Sequence, residues 1–257
     1  MAERLIFLGT GTGVPDGQRL PSSLLLWTGP GSWLVDLGPG VLRAAVRHLT
    51  LPGIRRILIS HFHLDHTADL AALFFALKNA PHRPPSLLLV GPPGFQAFLD
   101  RLLAAFGLSS EIPGITVQVG ELRPGEILET EIPVQAFATN HTPESQGYRF
   151  YLPGFSVAYT GDTGYHPDLI PPLLGVDLLI TEVSFLQPAP GHLTPEDAAH
   201  LALETGARRL AVVHRYPGTP KETVFQRLHS LLPRGYPVSL PEDGTVWNLA
   251  EIKGSGA

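Results

Sequence analysis

The order of apolar and polar positions along the chain predicts buried strands that alternate with amphipathic helices. Residues 57–59 are continuously apolar, which is typical of a strand covered on both faces. Residues 68–79 instead place Leu70, Leu73 and Leu77 on one face of a helix. The same criteria predict further strands over residues 4–9, 22–28, 32–36, 86–90, 134–138, 148–152, 156–160, 178–181 and 210–213, and further helices over residues 41–49, 95–106 and 195–205.

Turn and capping signals add detail to this pattern. Pro153-Gly154 lies between two predicted strands and indicates a hairpin. Thr194 is followed by a proline and, three positions on, by a carboxylate, which is the signature of a capped helix start. Thr219 begins the same pattern, and residues 237–249 are predicted to form a final pair of strands. The pattern alone therefore indicates a mixed α/β protein.

Four potential metal ligands fall within six positions directly after the apolar run at 57–59. His61 and His63 are two apart, so in an extended segment both side chains leave on the same side and can hold one cation. Asp65 and His66 follow where the chain turns, which directs them toward a second cation. Imidazole and carboxylate groups suit zinc and the neighbouring first-row metals. The alternative is a solvated turn that is rich in histidine, but its position after a buried strand favours a metal site.

Composition limits the classes of function that remain. A chain of 257 residues can form one domain with a sizeable core, so residues 1–257 are predicted to be a single domain. The sequence has no apolar run of the length that spans a membrane and no signal-peptide cleavage pattern, which predicts a cytoplasmic protein. It has no cysteine, so any metal must be held by His, Asp or Glu. The net charge of −5 gives no general attraction to nucleic acid or anionic membranes.

The His-x-His-x-Asp-His stretch at residues 61–66 resembles the signature of the metallo-β-lactamase superfamily. The resemblance implies a four-layer αβ/βα sandwich and three further ligands at strand ends. The matching positions are His141, Asp162 and His214, each directly after a predicted strand. It further implies a division of the ligands: His61, His63 and His141 for one metal ion, Asp65, His66 and His214 for the other, with Asp162 bridging. Zinc is the default metal, manganese or iron would fit the same ligands, and the two ions would share the attacking hydroxide.

Three local features are similar to one branch of that superfamily, ribonuclease Z, the tRNA 3′-processing endonuclease. The glycine-rich segment at residues 8–15, followed by Arg19, resembles its start, and we expect this loop to lie near the metal site because no helix pattern follows it. Glu182 matches the family's His-Glu-Ala-Thr segment, and His192 matches its His-Ser-Thr segment. The resemblance implies that His192, paired with Glu182, gives a proton to the leaving oxygen, and that Asp65 contacts the attacking hydroxide. The alternative for His192 is a structural position before a helix cap.

The sequence departs from ribonuclease Z in one large feature. That family inserts a tRNA-binding arm between the third-motif histidine and the bridging aspartate. Here His141 and Asp162 are 21 positions apart (162 − 141), which leaves room only for the hairpin. The predicted function is therefore a dinuclear metal phosphodiesterase acting on a small, cyclic or RNA-derived phosphodiester. The alternatives are a lactonase or thioesterase, a tRNA 3′-processing endonuclease, and a non-catalytic module that keeps the metals. The sequence indicates no protein partner, although arm-bearing relatives form dimers.

Overall fold

Two seven-stranded sheets form the centre of the protein in the computed structural model, which describes residues 3–29 and 31–254. In spatial order the strands of the first sheet are β14 (Val246–Asn248), β1 (Arg4–Gly9), β2 (Ser23–Trp27), β3 (Trp33–Val35), β4 (Arg56–Leu58), β5 (Ser86–Gly91) and β6 (Thr116–Glu121). Those of the second are β13 (Val238–Ser239), β12 (Leu210–Val213), β11 (Leu178–Glu182), β10 (Phe155–Tyr159), β9 (Gln146–Leu152), β8 (Val134–Ala138) and β7 (Ile127–Leu128). Strands β3 to β6 run parallel, as do β10 to β13, so the carboxyl ends of each set share one edge.

Helices cover the outer face of each sheet. The helices against the first sheet are α1 (Val41–Ala45), α3 (Asp69–Asn79) and α4 (Phe95–Ala104), and those against the second are α5 (Ile170–Leu173), α6 (Pro195–Glu204) and α7 (Lys221–Leu231). The remaining helices are α2 (Leu64–Thr67), which directly follows His63, and α8 (Leu249–Gly254); short 3₁₀ turns cover Leu51–Gly53 and Pro167–Leu169. Within the described ranges, no helix combines the length and the apolar character that crossing a membrane requires.

Alternation along β1 shows how the layers are held together. Leu5 and Phe7 point into the apolar cluster between the two sheets, whereas Ile6 and Leu8 point into the cluster under the outer helices. Both faces of the strand are buried, which explains why it reads as a continuous apolar run. The two sheets with a helical layer on each side confirm the predicted αβ/βα sandwich.

Two local predictions are wrong. Residues 237–249 do contain two strands, but β13 pairs with β12 and β14 pairs with β1, so the two lie in different sheets. Thr219 does not cap α7; the N-cap is Pro220, and the Thr219 hydroxyl donates to the carbonyl oxygen of Ser184 at 2.7 Å. Thr194 does cap α6, with reciprocal hydrogen bonds to Asp197. In both cases a contact between residues that are far apart in the sequence replaces the local contact that the pattern predicts.

Candidate metal centre

All seven predicted ligands converge at the carboxyl edge of the two sheets. They are His61 and His63 after β4, Asp65 and His66 in α2, His141 after β8, Asp162 after β10, and His214 after β12. Their donor atoms form two groups, and within each group the atoms lie within 4.8 Å of one another. His61, His63 and His141 group with Asp162, and Asp65 and His66 group with His214; Asp162 and His214 also lie in a third such group with Glu182 and His192.

The first group contains three histidines and Asp162. The Nδ1 atom of His63 lies 3.1 Å from Nε2 of His61 and 3.0 Å from Nε2 of His141. Oδ2 of Asp162 lies 3.9 Å from Nε2 of His61 and 3.7 Å from Nε2 of His141. Donors bound to a tetrahedral zinc ion at roughly 2.0–2.1 Å are about 3.3 Å apart, so this spacing suits such an ion.

The second group adjoins both carboxylate oxygens of Asp162. Nε2 of His66 is 3.7 Å from Oδ2 of Asp65 and 3.5 Å from Oδ1 of Asp162. Nε2 of His214 is 3.4 Å from Oδ2 of Asp65 and 3.3 Å from Oδ2 of Asp162. Asp162 therefore lies between the two groups and adjoins both.

Two buried atoms at this centre lack a hydrogen-bond partner within the described part of the chain. They are Nε2 of His66 and Oδ1 of Asp162, which face each other at 3.5 Å. A buried polar atom without a partner costs about 1–3 kcal/mol, and a cation bound by both atoms would remove that cost. Together with the donor spacing, these two atoms show that the residues fit a pair of divalent cations.

Hydrogen bonds at the opposite ring nitrogen orient four of the histidines. Nδ1 of His61 lies 3.1 Å from Ser60 Oγ, and Nδ1 of His66 lies 2.8 Å from Asp36 Oδ2. Nδ1 of His141 lies 3.0 Å from Gly191 O, and Nδ1 of His214 lies 3.0 Å from Ser184 Oγ. When Nδ1 carries the proton and donates it to these oxygens, the lone pair on Nε2 is free to bind a cation. The surrounding residues thus select the ligand tautomer.

Burial and charge favour the metal-binding forms of His61 and Asp162 but favour the protonated form of His66. Burial lowers the pKa of His61 well below its usual value, which keeps the ring neutral. Burial alone would raise the pKa of Asp162, but His214 and His66 lower it, so the carboxylate stays ionised. Burial opposes protonation of His66, yet Asp162 and Asp36 raise its pKa above the usual value. A cation bound at Nε2 of His66 therefore displaces a proton.

Asp36 supports the centre and was missed by the sequence reasoning. It is fully buried directly after β3, with a backbone φ of 60°. Its carboxylate accepts hydrogen bonds from the Ser60 amide and hydroxyl, both at 2.8 Å, and from the Tyr159 hydroxyl at 3.1 Å, besides that from His66. Its place at the end of a buried strand is the signal that identified the predicted ligands and could have identified Asp36 as well.

Glu182 and His192 form the predicted pair beside the two ligand groups. Nδ1 of His192 lies 2.9 and 3.1 Å from the two carboxylate oxygens of Glu182, which is fully buried. Burial would lower the pKa of His192, but the hydrogen bond that its Nδ1 donates to Glu182 raises it, which favours the imidazolium. The His192 ring lies 4.8 Å from that of His141 and 6.1 Å from that of His214. A proton donor is thus available at the edge of both groups.

Ser184 connects this pair to the second group and was also missed. Its hydroxyl contacts Oε2 of Glu182 and lies 3.0 Å from Nδ1 of His214. The single hydroxyl proton is donated to the carboxylate, so the Ser184 oxygen accepts the proton of His214 Nδ1. Glu182 therefore acts on His192 directly and on His214 through Ser184.

Two connecting segments lie where the sequence suggested. The amide of Gly13, in the glycine-rich loop, donates to Oδ2 of Asp65 at 2.9 Å, which places that loop at the centre. Between His141 and Asp162 the chain forms only the antiparallel pair β9–β10. The segment in which the sequence left room only for a hairpin is a hairpin within the second sheet.

Comparisons with known proteins concern the family and the fold of the chain. A family model described as "Beta-lactamase superfamily domain" matches residues 32–215. A ribonuclease Z of Haloferax volcanii is 28% identical in a match that covers 88% of this chain and 89% of that protein. The metallo-beta-lactamase fold protein YhfI of Bacillus subtilis superposes with a TM-score of 0.82, at 23% identity and over 96% of this chain and 99% of that one. The short form of human tRNase Z gives a TM-score of 0.75 at 25% identity, over 95% and 98% of the two chains.

Proposed function

The chain belongs to the β-lactamase superfamily, and from this membership we propose that it is a metal-dependent phosphodiesterase of the ribonuclease Z-like group. Its substrate in this proposal is a small, cyclic or RNA-derived phosphodiester. The observation that carries the proposal is the Glu182–His192 pair, with Nδ1 of His192 2.9 Å from the buried carboxylate. A proton donor beside two metal-ligand groups is what cleavage of a phosphodiester with an alkoxide leaving group requires.

The metal ions in this proposal are held by the seven clustered residues, with zinc as the default. Divalent cations at such a centre polarise phosphoryl oxygens and make water more acidic. Asp65, whose Oδ2 belongs to the second group and is held by the Gly13 amide, would contact the attacking water. The residues are His61, His63, Asp65, His66, His141, Asp162 and His214.

His192 supplies the proton that the leaving oxygen needs. Glu182 occupies Nδ1 of His192, so the proton on Nε2 is the one that can be transferred. The side chain of His192 is 13% exposed, so it can reach a substrate while the carboxylate behind it stays fully buried. A thioesterase would use the same metal ligands but has less need of this pair, because a thiolate departs with less help from an acid than an alkoxide does.

The hairpin between His141 and Asp162 argues against full tRNA as the substrate. The match with the Haloferax volcanii protein runs over 287 positions, more than the 257 residues of this chain, so that relative has residues where this chain has none. Without an arm, the contacts of a substrate are confined to the neighbourhood of the two ligand groups. We therefore infer that a small phosphodiester or an RNA end binds there.

Parallel assays of the metal-loaded protein test the proposal. We expect cleavage of bis(p-nitrophenyl) phosphate and little turnover of a thioester or a lactone. Precursor tRNA is a third substrate, and cleavage at its 3′ end would favour the endonuclease alternative. The phosphodiesterase assignment fails if the ester or lactone is cleaved while the phosphodiester is left intact. Elemental analysis of the same preparation, with His66→Ala beside it, links the activity to the bound metal.

A further inference from the structure

Two aromatic rings lie beside His192, at the ends of neighbouring parallel strands. Phe185 follows β11 and Tyr216 follows β12. The rings stack with centroids 4.7 Å apart and planes 25° apart, and both side chains are partly exposed. The Phe185–Tyr216 pair thus forms a small flat surface at the edge of the sheet that carries the ligand groups.

Packing of the protein core does not account for this pair. Neither ring belongs to the three apolar clusters that the described residues form, although the adjacent Leu186 packs against one of them. Two large aromatic side chains kept partly in water outside a core are typical of a binding surface. Because the two rings lie next to His192 and His214, we expect them to contact a bound ligand.

The pair is aligned with the candidate acid and with the second ligand group. The ring of His192 is nearly perpendicular to both members, 5.4 Å from Phe185 and 6.2 Å from Tyr216. The ring of Tyr216 is also 6.1 Å from that of His214. Because His192 gives its proton to the leaving oxygen, the group bonded to that oxygen lies next to the pair.

We propose that the Phe185–Tyr216 pair stacks against the nucleobase of the leaving nucleoside, so that the substrates are nucleoside phosphodiesters. The inference rests on the proposed function and narrows its substrate class. A parallel pair of rings offers its flat faces to another flat ring, whereas a flexible acyl chain gains little from them. Stacking of this kind tolerates all bases, so we expect a requirement for a base without a preference among bases.

Binding measurements test the role of the pair independently of catalysis. Calorimetric titration of the metal-loaded protein with adenosine 5′-monophosphate and with ribose 5-phosphate isolates the contribution of the base. We expect the nucleotide to bind about tenfold or more tightly. Tyr216→Leu should bring this ratio close to one, and Tyr216→Phe, which keeps the ring, should preserve it. The control is Phe75→Leu, because Phe75 is an aromatic residue on α3 that is 61% exposed.

Hydrolysis of the methyl esters of the same two phosphates separates this inference from the proposed function. Release of adenosine should exceed release of ribose in kcat/KM, and Tyr216→Leu should reduce the ratio. Equal binding of the two ligands, or a preference that survives Tyr216→Leu with metal content intact, would overturn the inference. If no diester is cleaved but the binding preference depends on Tyr216, the phosphodiesterase assignment fails and the stacking surface stands. If both esters are cleaved equally well, the phosphodiesterase assignment stands and the stacking inference fails.

Discussion

Replacing His192 with alanine gives the sharpest test of the catalytic assignment, because the effect depends on the leaving group. An alkoxide departs only with a proton, whereas p-nitrophenolate departs without one. Loss of the Nε2 proton of His192 should therefore slow an alkyl phosphodiester far more than bis(p-nitrophenyl) phosphate. A metal site that was merely damaged would slow both substrates alike.

The size of the effect follows from the position of His192. General acids contribute roughly 10²–10⁴-fold, and the contact of Nδ1 with both oxygens of Glu182 favours a protonated, oriented ring. We expect kcat/KM for the alkyl diester to fall about 10³-fold, which corresponds to about 4 kcal/mol of transition-state stabilisation. The fall for bis(p-nitrophenyl) phosphate should stay within about tenfold.

The assay compares initial rates on both substrates, with metal content and thermal midpoint measured for each variant. His200→Ala is the matched control, because His200 also pairs with a carboxylate, Glu204 at 3.1 Å, but on the exposed surface of α6. It should change either rate by no more than about twofold. An equal loss on the two substrates, or unchanged cleavage of the alkyl diester by His192→Ala, would show that His192 is not the acid.

Three further predictions concern the metal centre. Treatment with a chelator should lower the thermal midpoint and added zinc should restore it, since a ligand at 1,000 times its Kd stabilises a fold by about 4 kcal/mol; identical melting curves would refute the site. Ser184→Ala should weaken metal binding about 10- to 100-fold in a competition titration, whereas Ser184→Thr keeps the hydroxyl and should bind normally; equal loss in both would mean that the hydroxyl is not the cause. Asp36→Ala should reduce the free energy of unfolding of the metal-free protein by about 3–5 kcal/mol in urea, because it leaves His66 and Ser60 without their buried acceptor; a change below about 1 kcal/mol would contradict this.

The positions of the ligand candidates were predictable because the fold brings strand ends together. His214 and Asp162 are far apart in sequence, yet each directly follows a buried strand. Parallel strands place their carboxyl ends at one edge, so polar residues at those ends meet whatever the order of the strands. The sequence therefore predicted which side chains would converge without predicting the pairing of the strands.

Contacts that depend on a specific neighbour could not be predicted in the same way. Ser184 matters because its hydroxyl lies between Glu182 and His214, and nothing in a local pattern indicates which atoms a hydroxyl will face. The same limit applies to Thr219, because its local sequence predicts a helix cap whereas its hydroxyl donates to the carbonyl oxygen of Ser184. Local signals identify what a residue can do, and the tertiary structure selects among those options.

One carboxylate orients both the candidate acid and a metal ligand. Both oxygens of Glu182 contact Nδ1 of His192, and Oε2 also holds His214 through the Ser184 hydroxyl. Substituting Glu182 therefore disturbs both functions and cannot separate them. Ser184→Ala removes only the link from Glu182 to His214, and His192→Ala removes only the candidate acid. If the acid and the metal ligand are coupled through the shared carboxylate, the effects of Ser184→Ala and His192→Ala on the activation free energy should not add. In the double variant we expect a departure from additivity of about 0.5–3 kcal/mol. Strict additivity at saturating metal would mean that Glu182 serves the acid and the ligand independently.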